Sequence, residues 1–482
     1  YNTMKKIIIG LLAGFGLLLA GCNSWLDVQP YDSMTDEQLY STETGIQRAL
    51  NGIYLGLASN DLYAKNLTCG TVDILGGLYY IPEKHNYQDY SLYKYTETKP
   101  KATFESIWKA GYKIISGCNE FLESVAANRN VLKSGDYANV TGEALALRTL
   151  VHFDLFRLFG RVYSENTKNL QAIPYYTQVT DVPTDILSAE QLMKRLLTDI
   201  DTAIVRLSGD PVLTNGVGSE EGFWDYRNYR LNYYAAWTLK ARMLYYMGTA
   251  YNAEAFRIAR TLLESKDPHT GETNNFTATF VAIDNETGRK DYLFYPEILF
   301  GIHNLKRETL YKDLFSLDLE NNNLLSASSK FLATLFTADS DIRQNAWETA
   351  PIDRGEFKTF KKFSVIQEVQ TNPYLYQTQA LLRKSELYLI AAATAPDDEL
   401  KARYLEELRL TRGYQTGNTI GADLNTLLDE EWKKEFYGEG QYFFFLKRNQ
   451  INNIRNHEGN TVDISKAYII PLPESETNNR YE

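Results

Sequence analysis

The chain has 482 residues, of which 44% are hydrophobic and 23% charged, so it is long and apolar enough to fold around a large core. Its 61 Asp and Glu outnumber 50 Lys and Arg, and the net charge of −11 argues against a nucleic-acid-binding protein, which needs a basic surface. The sequence contains no Gly-rich phosphate loop, no dinucleotide fingerprint and no H-E-x-x-H motif, and its five histidines are dispersed. It therefore predicts no cofactor and no metal site.

The first predicted element is an export signal. Lys5 and Lys6 precede a fourteen-residue apolar stretch, 7–20, which runs into Leu-Ala-Gly-Cys ending at Cys22. A helix of that length spans about 21 Å, less than the roughly 30 Å hydrocarbon core of a bilayer. The order of charged, apolar and small residues is typical of a bacterial lipoprotein signal. We therefore expect residues 1–21 to be removed and Cys22 to carry acyl chains that anchor the protein to a membrane.

Apolar residues at three- and four-residue spacing then predict a mainly α-helical body. The predicted helical segments are 35–58, 101–127, 138–160, 188–207, 232–265 and 379–412. Thr35 with Gln38, and Ser188 with Gln191, are predicted capping boxes at two helix starts. The last two segments each predict a pair of helices joined by a short turn over about 34 residues, which is the period of the tetratricopeptide repeat. The expected scaffold is therefore built from helical hairpins.

Three long segments without sustained helical periodicity separate these helices, at 68–102, 209–230 and 274–373. They are rich in Tyr, Asn, Asp and Gly, and loops of this length in a compact protein tend to carry function. No Pro-rich or Gly/Ser-rich linker divides the body. We therefore expect residues 22–482 to form one domain, with helices as the scaffold and irregular loops as the ligand-binding surface.

Several short motifs follow one another along the chain. They are Trp25-Leu26-Asp27-Val28-Gln29-Pro30, Ala144-Leu145-Ala146-Leu147-Arg148, Phe153-Asp154-Leu155-Phe156-Arg157-Leu158-Phe159-Gly160, Glu297-Ile298-Leu299-Phe300, Asp341-Ile342-Arg343, Leu382-Arg383-Lys384-Ser385-Glu386-Leu387-Tyr388-Leu389 and Pro471-Leu472-Pro473. With the lipoprotein signal, their order over essentially the whole mature chain resembles the SusD/RagB family of outer-membrane nutrient-binding lipoproteins. The resemblance implies a tetratricopeptide-like helical scaffold, a surface-exposed lipid anchor and no catalysis. It also implies a partner, a SusC-like TonB-dependent transporter barrel.

The first long loop contains a cluster of candidate ligand-binding aromatic residues. Six tyrosines lie within seventeen residues, at Tyr79, Tyr80, Tyr87, Tyr90, Tyr93 and Tyr95. Sugar rings stack their C–H faces on aromatic rings, and their hydroxyls need donors and acceptors such as Asp73 or Asn86. The alternative is a short hairpin whose alternate tyrosines pack on the helical core.

A second candidate surface is the segment 223–230, which mixes aromatic rings with guanidinium groups. Its candidate binding residues are Trp224, Tyr226, Arg227 and Tyr229. Arg can bind a carboxylate or stack on an aromatic ring, so the segment is either a binding surface or the contact that docks its loop onto the scaffold. Tyr292 and Trp347 in the third long loop are further candidates.

Other reactive groups are expected to be structural. Glu431, Glu435 and Glu439 are four residues apart, which would place three carboxylates on one helical face. Glycosidases use paired acids, but such a ladder is usually ion-paired or solvated. Cys69 and Cys118 are expected to be two buried thiols, although a disulfide between them is possible.

These observations favour a non-catalytic lipoprotein of the outer membrane that captures an oligosaccharide at the cell surface and delivers it to the barrel transporter. Two alternatives remain open. The same architecture would suit a peptide ligand, and a tetratricopeptide-type adaptor would bind only proteins.

Overall fold

The computed structural model describes residues 35–219, 222–283, 291–350, 355–364 and 376–478. The helices of its first half are α1 (Asp36–Tyr40), α2 (Glu43–Leu57), α3 (Thr71–Leu75), α4 (Gln88–Ser91), α5 (Thr98–Ala127), α6 (Ser134–Phe159), α7 (Ala189–Arg206) and α8 (Val212–Asn215). Those of the second half are α9 (Tyr233–Tyr246), α10 (Asn252–Leu263), α11 (Phe276–Thr279), α12 (Arg307–Leu314), α13 (Ser329–Leu335), α14 (Lys384–Thr394), α15 (Asp398–Leu410), α16 (Leu424–Glu435), α17 (Gln441–Arg448) and α18 (Glu474–Asn478). The protein is therefore mainly α-helical, as predicted.

Small antiparallel sheets supplement the helices. They pair β1 (Gln171–Pro174) with β2 (Ile186–Ser188), β3 (Ile298–His303) with β7 (Thr378–Arg383), β6 (Phe357–Phe360) with both β4 (Ser326–Ser328) and β5 (Trp347–Thr349), and β8 (Asn453–Arg455) with β9 (Thr461–Asp463). The residue ranges of β4, β5 and β6 fall in the segment 274–373, which we expected to be irregular. Each of these strands has only three or four residues, so local periodicity gives almost no signal for them.

Helical hairpins form the scaffold. Helix α6 packs between α5 and α7, and the hairpins α9–α10 and α14–α15 pack against each other through α10 and α14. Every residue of α6 from Asn139 to Phe159 is buried, which is typical of a central helix. The two predicted capping boxes, at Thr35 and Ser188, are both present. The tetratricopeptide-like scaffold is consistent with this arrangement.

The predicted helix pair 379–412 begins differently from the prediction. Residues Thr378–Arg383 form the strand β7, which pairs with β3, and the helices begin only at Lys384. All six residues of β7 are buried. A segment of six residues that is buried on both faces shows no periodicity that distinguishes a strand from a helix, so the partner strand decides.

One large hydrophobic cluster joins the helices to the loops, from Tyr40 in α1 to Ile470 near the carboxyl end of the described chain. Cys69 and Cys118 are buried free thiols in this cluster, which confirms the expected structural role. Over the described ranges, no helix combines the length and the apolar character needed to cross a bilayer.

Candidate functional site

Half of the predicted tyrosine platform is inside the protein. Tyr79, Tyr90 and Tyr95 expose only 3%, 5% and 7% of their surface. The Tyr79 hydroxyl donates to the carbonyl oxygen of Cys69 at 2.9 Å, which anchors the loop from within. The segment contains the short helix α4 and not the hairpin of the alternative interpretation. The half-buried members of the cluster are Tyr80, Tyr87 and Tyr93.

Asp73 lies too deep in the protein to meet a ligand. It is fully buried in α3, and its carboxylate accepts the backbone N–H groups of Gly438 at 2.8 Å and Gly440 at 3.0 Å. Both glycines have positive φ angles, 83° and 73°, which glycine adopts without strain. Burial raises the pKa of Asp73, and the two N–H donors oppose that shift. Asp73 therefore fixes the turn between α16 and α17, which corrects its assignment as a ligand-binding residue.

Tyr80 lies where the loop opens to the surface. Its backbone N–H donates to the carbonyl oxygen of Ser326 at 2.8 Å, and its half-buried side chain faces two clefts. The first cleft has a volume of about 650 Å³. It lies between the segments 74–81 and 91–93 on one side and residues 454–466, which include the β8–β9 hairpin, on the other. Its volume is in the usual range for sites that bind small molecules.

The second cleft shares Tyr80 with the first and has a volume of about 540 Å³. Pro82 and Glu83 form one wall, and residues from 321–328 and 355–357 form the other. Amide, hydroxyl and carboxylate groups line this cleft beside the Tyr80 ring, from Asn321, Asn322, Ser326, Ser328, Glu83, Glu356 and Glu458. An aromatic ring surrounded by such groups suits a ligand with apolar faces and many hydroxyls.

His457 separates these clefts from a third one. It lines all three, and the third cleft, of about 710 Å³, is lined by residues 453–457 of the β8–β9 hairpin together with residues of α13 and α16. The His457 Nδ1 atom accepts the backbone N–H of Ser328 at 3.2 Å, and its ring lies 4.1 Å from that of Phe331 and 6.2 Å from that of Tyr80. Burial lowers the pKa of His457 to about 4, so the ring is neutral at pH 7. The His457 side chain thus packs between the clefts and links the hairpin to Ser328 and Phe331.

Asn86 is exposed and supports the second cleft from outside. Its backbone N–H donates to the carbonyl oxygen of Asn322 at 2.9 Å, and its side chain bonds to that of Asn323 and accepts from Lys99 Nζ at 3.0 Å. Asn322 lines the second cleft, whereas Asn86 lines neither cleft beside Tyr80. The structure therefore brings Asn86 close to the site, in a positioning role.

The Arg227 segment belongs to the scaffold. The Arg227 guanidinium is fully buried, with Nη1 at 2.7 Å from Glu143 and with Nε and Nη2 at 2.9 and 2.7 Å from the two Asp210 oxygens. Glu143 lies on α6 and Asp210 follows α7, so this arginine joins two helices. Its donors are engaged by carboxylates inside the protein, which corrects its assignment as a ligand-binding residue.

The other candidates of this segment, Trp224, Tyr226 and Tyr229, are half-buried and pack against other parts of the protein or their own loop. The Trp224 ring lies 4.9 Å from that of Phe223, and Tyr226 donates to the carbonyl oxygen of Ser219 at 3.1 Å. Tyr229 contacts Thr378 and His303. The predicted candidates Trp224, Tyr226 and Tyr229 do not line the clefts beside Tyr80. The geometry favours the docking alternative for this segment.

Tyr292 and Trp347 line a cavity that is too small for a sugar. Its volume is about 20 Å³, which is close to the space of a single water molecule. Trp347 is buried, with ring distances of 4.7 Å to Phe360 and 4.8 Å to Tyr437. These two candidates therefore do not join Tyr80 at a shared surface.

The three carboxylates with a glycosidase-like spacing are buried in ion pairs. Glu435, the last residue of α16, pairs with Arg383 at 2.6 Å and with Arg412 at 2.7 Å. Glu431 lies 2.8 Å from Arg343, and Glu439, beyond the helix, pairs with Arg383 at 2.9 Å. Nearby arginine and lysine charges lower the pKa of Glu431 to about 2 despite its burial. The three groups are ion-paired, which was one of the two expected arrangements, but they are buried inside the protein and not on its surface.

The β8–β9 hairpin, which contributes lining residues to the clefts, was not predicted from the sequence. Its turn contains Asn456, Gly459 and Asn460 between apolar Ile454 and Val462, which is a hairpin signal in hindsight. Among the described residues, no group of three or more His, Cys, Asp or Glu is arranged to hold a metal ion. Cys22, the predicted lipidation site, lies outside the described residues.

Comparison with known proteins shows which proteins this chain resembles. Residues 24–213 match a SusD-like family model with the description "Starch-binding associating with outer membrane". A SusD superfamily protein from Bacteroides thetaiotaomicron has the same fold, with a TM-score of 0.70 at 20% identity over 91% of this chain and 98% of its own. Residues 24–213 are thus similar in sequence to a SusD-like family, and the fold of the chain is similar to that of a SusD superfamily structure.

Two other solved structures extend the comparison of the fold. A putative sugar binding protein from Bacteroides vulgatus gives a TM-score of 0.69 at 20% identity over 91% of this chain and 96% of its own. Surface glycan-binding protein A from Bacteroides thetaiotaomicron, in complex with laminarihexaose, gives a TM-score of 0.64 at 17% identity over 91% of this chain and 98% of its own. The comparison with curated protein sequences gave no match.

Proposed function

We propose that this chain is a non-catalytic glycan-binding lipoprotein of the outer membrane. The observation that carries the proposal is the position of Tyr80, whose half-buried side chain lines two clefts of about 650 and 540 Å³. A sugar ring can stack on this ring while its hydroxyls bond to the amides and carboxylates around it. The family description and the laminarihexaose complex of a structural neighbour support a carbohydrate ligand.

The remaining parts of the proposal concern anchoring and delivery. We propose that residues 22–482 are the mature protein, tethered through lipid on Cys22 at the cell surface. The resemblance to SusD/RagB proteins supports a SusC-like TonB-dependent transporter as the partner that receives the glycan. The buried ion pairs of Glu431 and Glu435 support binding without hydrolysis, because these acids are not placed to meet a substrate.

A glycan array tests the proposal. The full chain is purified in detergent and applied to an array of plant, microbial and host polysaccharides, with a peptide library as a parallel arm. We expect at least one polysaccharide to bind, and we expect its chain length to be unchanged after incubation with the protein. Binding confined to peptides would replace the glycan with the peptide alternative, and release of shorter products would indicate an enzyme. Binding to neither arm would contradict the proposal.

A further inference from the structure

We propose that the clefts beside Tyr80 accept uncharged or amino-bearing glycans and exclude glycans that carry uronate or sulfate groups. This inference rests on the proposed function, because it assigns the class of ligand at the same site. The observation that supports it is the negative charge of the side chains around the Tyr80 ring.

The second cleft is acidic. Three exposed carboxylates line it, from Glu83, Glu356 and Glu458, and no described residue that lines it is Lys or Arg. The three residues come from separate segments of the chain, so the cleft collects them only in the folded protein. Carboxylates accept hydrogen bonds from sugar hydroxyls and, more strongly, from a protonated amine.

The first cleft is acidic at the edge that it shares with the second. Glu458 lines both clefts, and Asp463 adds a carboxylate to the first, against a single described lysine, Lys466. A glycan that lies across Tyr80 from one cleft to the other therefore passes Glu458. An anionic sugar there would meet like charges at short range, and juxtaposed like charges disfavour binding.

The acidic lining is local and does not simply follow from the net charge of −11. The third cleft, which is lined by the β8–β9 hairpin and the helices α13 and α16, contains both signs of charge. Its charged residues are Lys330, Asp429, Glu430, Lys433 and Arg455. Lys330 Nζ donates to the backbone carbonyl of Glu458 at 3.0 Å, and among the described residues no ion pair joins it to the Glu458 carboxylate. The clefts that meet at Tyr80 and the third cleft thus differ in charge.

The test uses pairs of glycans that differ only in charge. The array carries acidic polysaccharides, namely homogalacturonan, glucuronoxylan and sulfated galactan, each beside its carboxyl-reduced or desulfated form, together with neutral glucans and chitosan. The full chain in detergent is applied at 20 mM and at 300 mM salt. We expect binding to neutral or amino-bearing members, and at least tenfold weaker binding to the acidic form of any pair whose neutral form binds.

A triple variant, Glu83→Gln with Glu356→Gln and Glu458→Gln, isolates the cause. The affinity for a uronate-bearing form, relative to its neutral form, is expected to rise about tenfold in this variant at low salt and less at high salt, because salt screens the repulsion. The matched control removes three exposed carboxylates elsewhere, by Glu37→Gln, Glu272→Gln and Glu399→Gln. We expect the control to leave that ratio unchanged.

The possible failures are distinguishable. Binding of the unmodified protein to an acidic form as tightly as to its neutral form would overturn the selectivity and leave glycan binding standing. An equal rise of the ratio in both triple variants would overturn the role of the cleft carboxylates, since net charge alone would then explain it. Absence of binding to every polysaccharide would overturn both this inference and the proposed function.

Discussion

The loop around Tyr80 and the loop around Arg227 have similar compositions but different places in the structure. Both are long and rich in aromatic and polar residues, and both were candidate ligand surfaces. In the Arg227 loop the guanidinium is fully buried between Glu143 and Asp210. In the Tyr80 loop the buried groups are at Asp73 and Tyr79, and the following residue, Tyr80, is left at the clefts.

The difference shows how a polar loop becomes either an anchor or a binding surface. A charged side chain that finds oppositely charged partners inside the scaffold is removed from water and fixes its loop. A tyrosine whose backbone is hydrogen-bonded to a neighbouring strand, as that of Tyr80 is to Ser326, can keep part of its ring exposed. The two loops are similar in composition, and the residues that each loop contacts decide whether it is an anchor or a binding surface.

The largest expected effect comes from breaking the Arg227 anchor. Arg227→Met leaves two carboxylates buried without their partner, and we expect the free energy of unfolding to fall by about 3–5 kcal/mol. Urea unfolding followed by circular dichroism measures it. The control is Arg257→Met, which removes a partly exposed arginine paired with Glu254 and is expected to change stability by less than about 1 kcal/mol. A loss below about 1 kcal/mol for Arg227→Met would show that its loop is not anchored in this way.

Lowering the pH tests the contribution of the buried ion pairs to stability, with Glu431 as the example. The pKa of Glu431 is about 2 in the folded protein, compared with its ordinary value of 4.5, so the folded state binds fewer protons than the unfolded state between these values. The stabilisation by Glu431 is therefore complete above about pH 4.5 and is lost as the pH falls towards 2. We expect the free energy of unfolding to decrease through this window, and to decrease less steeply in Glu431→Gln. Parallel pH profiles of the two proteins would contradict the assignment.

The smallest expected effect separates the two loops by binding. Tyr80→Ala removes the ring shared by the two clefts, and we expect the affinity for the bound glycan to fall about tenfold, which corresponds to roughly 1.4 kcal/mol. Trp224→Ala removes a half-buried ring from the Arg227 loop and is expected to change that affinity by less than twofold. Isothermal titration calorimetry measures both. Weaker binding by the Trp224 variant with unchanged binding by the Tyr80 variant would reverse the comparison.

Several features could be predicted because they depend on neighbours in the sequence. The capping boxes at Thr35 and Ser188 need only residues three positions apart, and both are present. The apolar spacing over 188–207 likewise predicts the helix α7 at Ala189–Arg206. The exception, β7, is a strand because β3 pairs with it, and the two strands are far apart in the sequence.

The candidate site could be predicted only in part, for the same reason. The tyrosine-rich loop was located from its composition, and Tyr80 is on it. Whether each side chain of this loop is buried or reaches a cleft depends on contacts with distant segments. One example is the hydrogen bond from the Gly438 N–H to the Asp73 carboxylate, across 365 residues. His457 and the β8–β9 hairpin gave no aromatic or charge cluster in the sequence, although they separate the clefts.

The sequence by itself determined the helical scaffold, the resemblance to SusD-like proteins and the loop that contains Tyr80, because periodicity, capping and motif order are properties of one continuous chain. Only the tertiary structure decided that Asp73, Tyr79 and Arg227 are buried, that Tyr80 is not, and that Glu83, Glu356 and Glu458 surround one cleft. The physical reason is that burial and electrostatic surroundings are set by whichever segments meet in space, and the chain separation of those segments is 17 residues for Arg227 and Asp210 but 365 for Asp73 and Gly438.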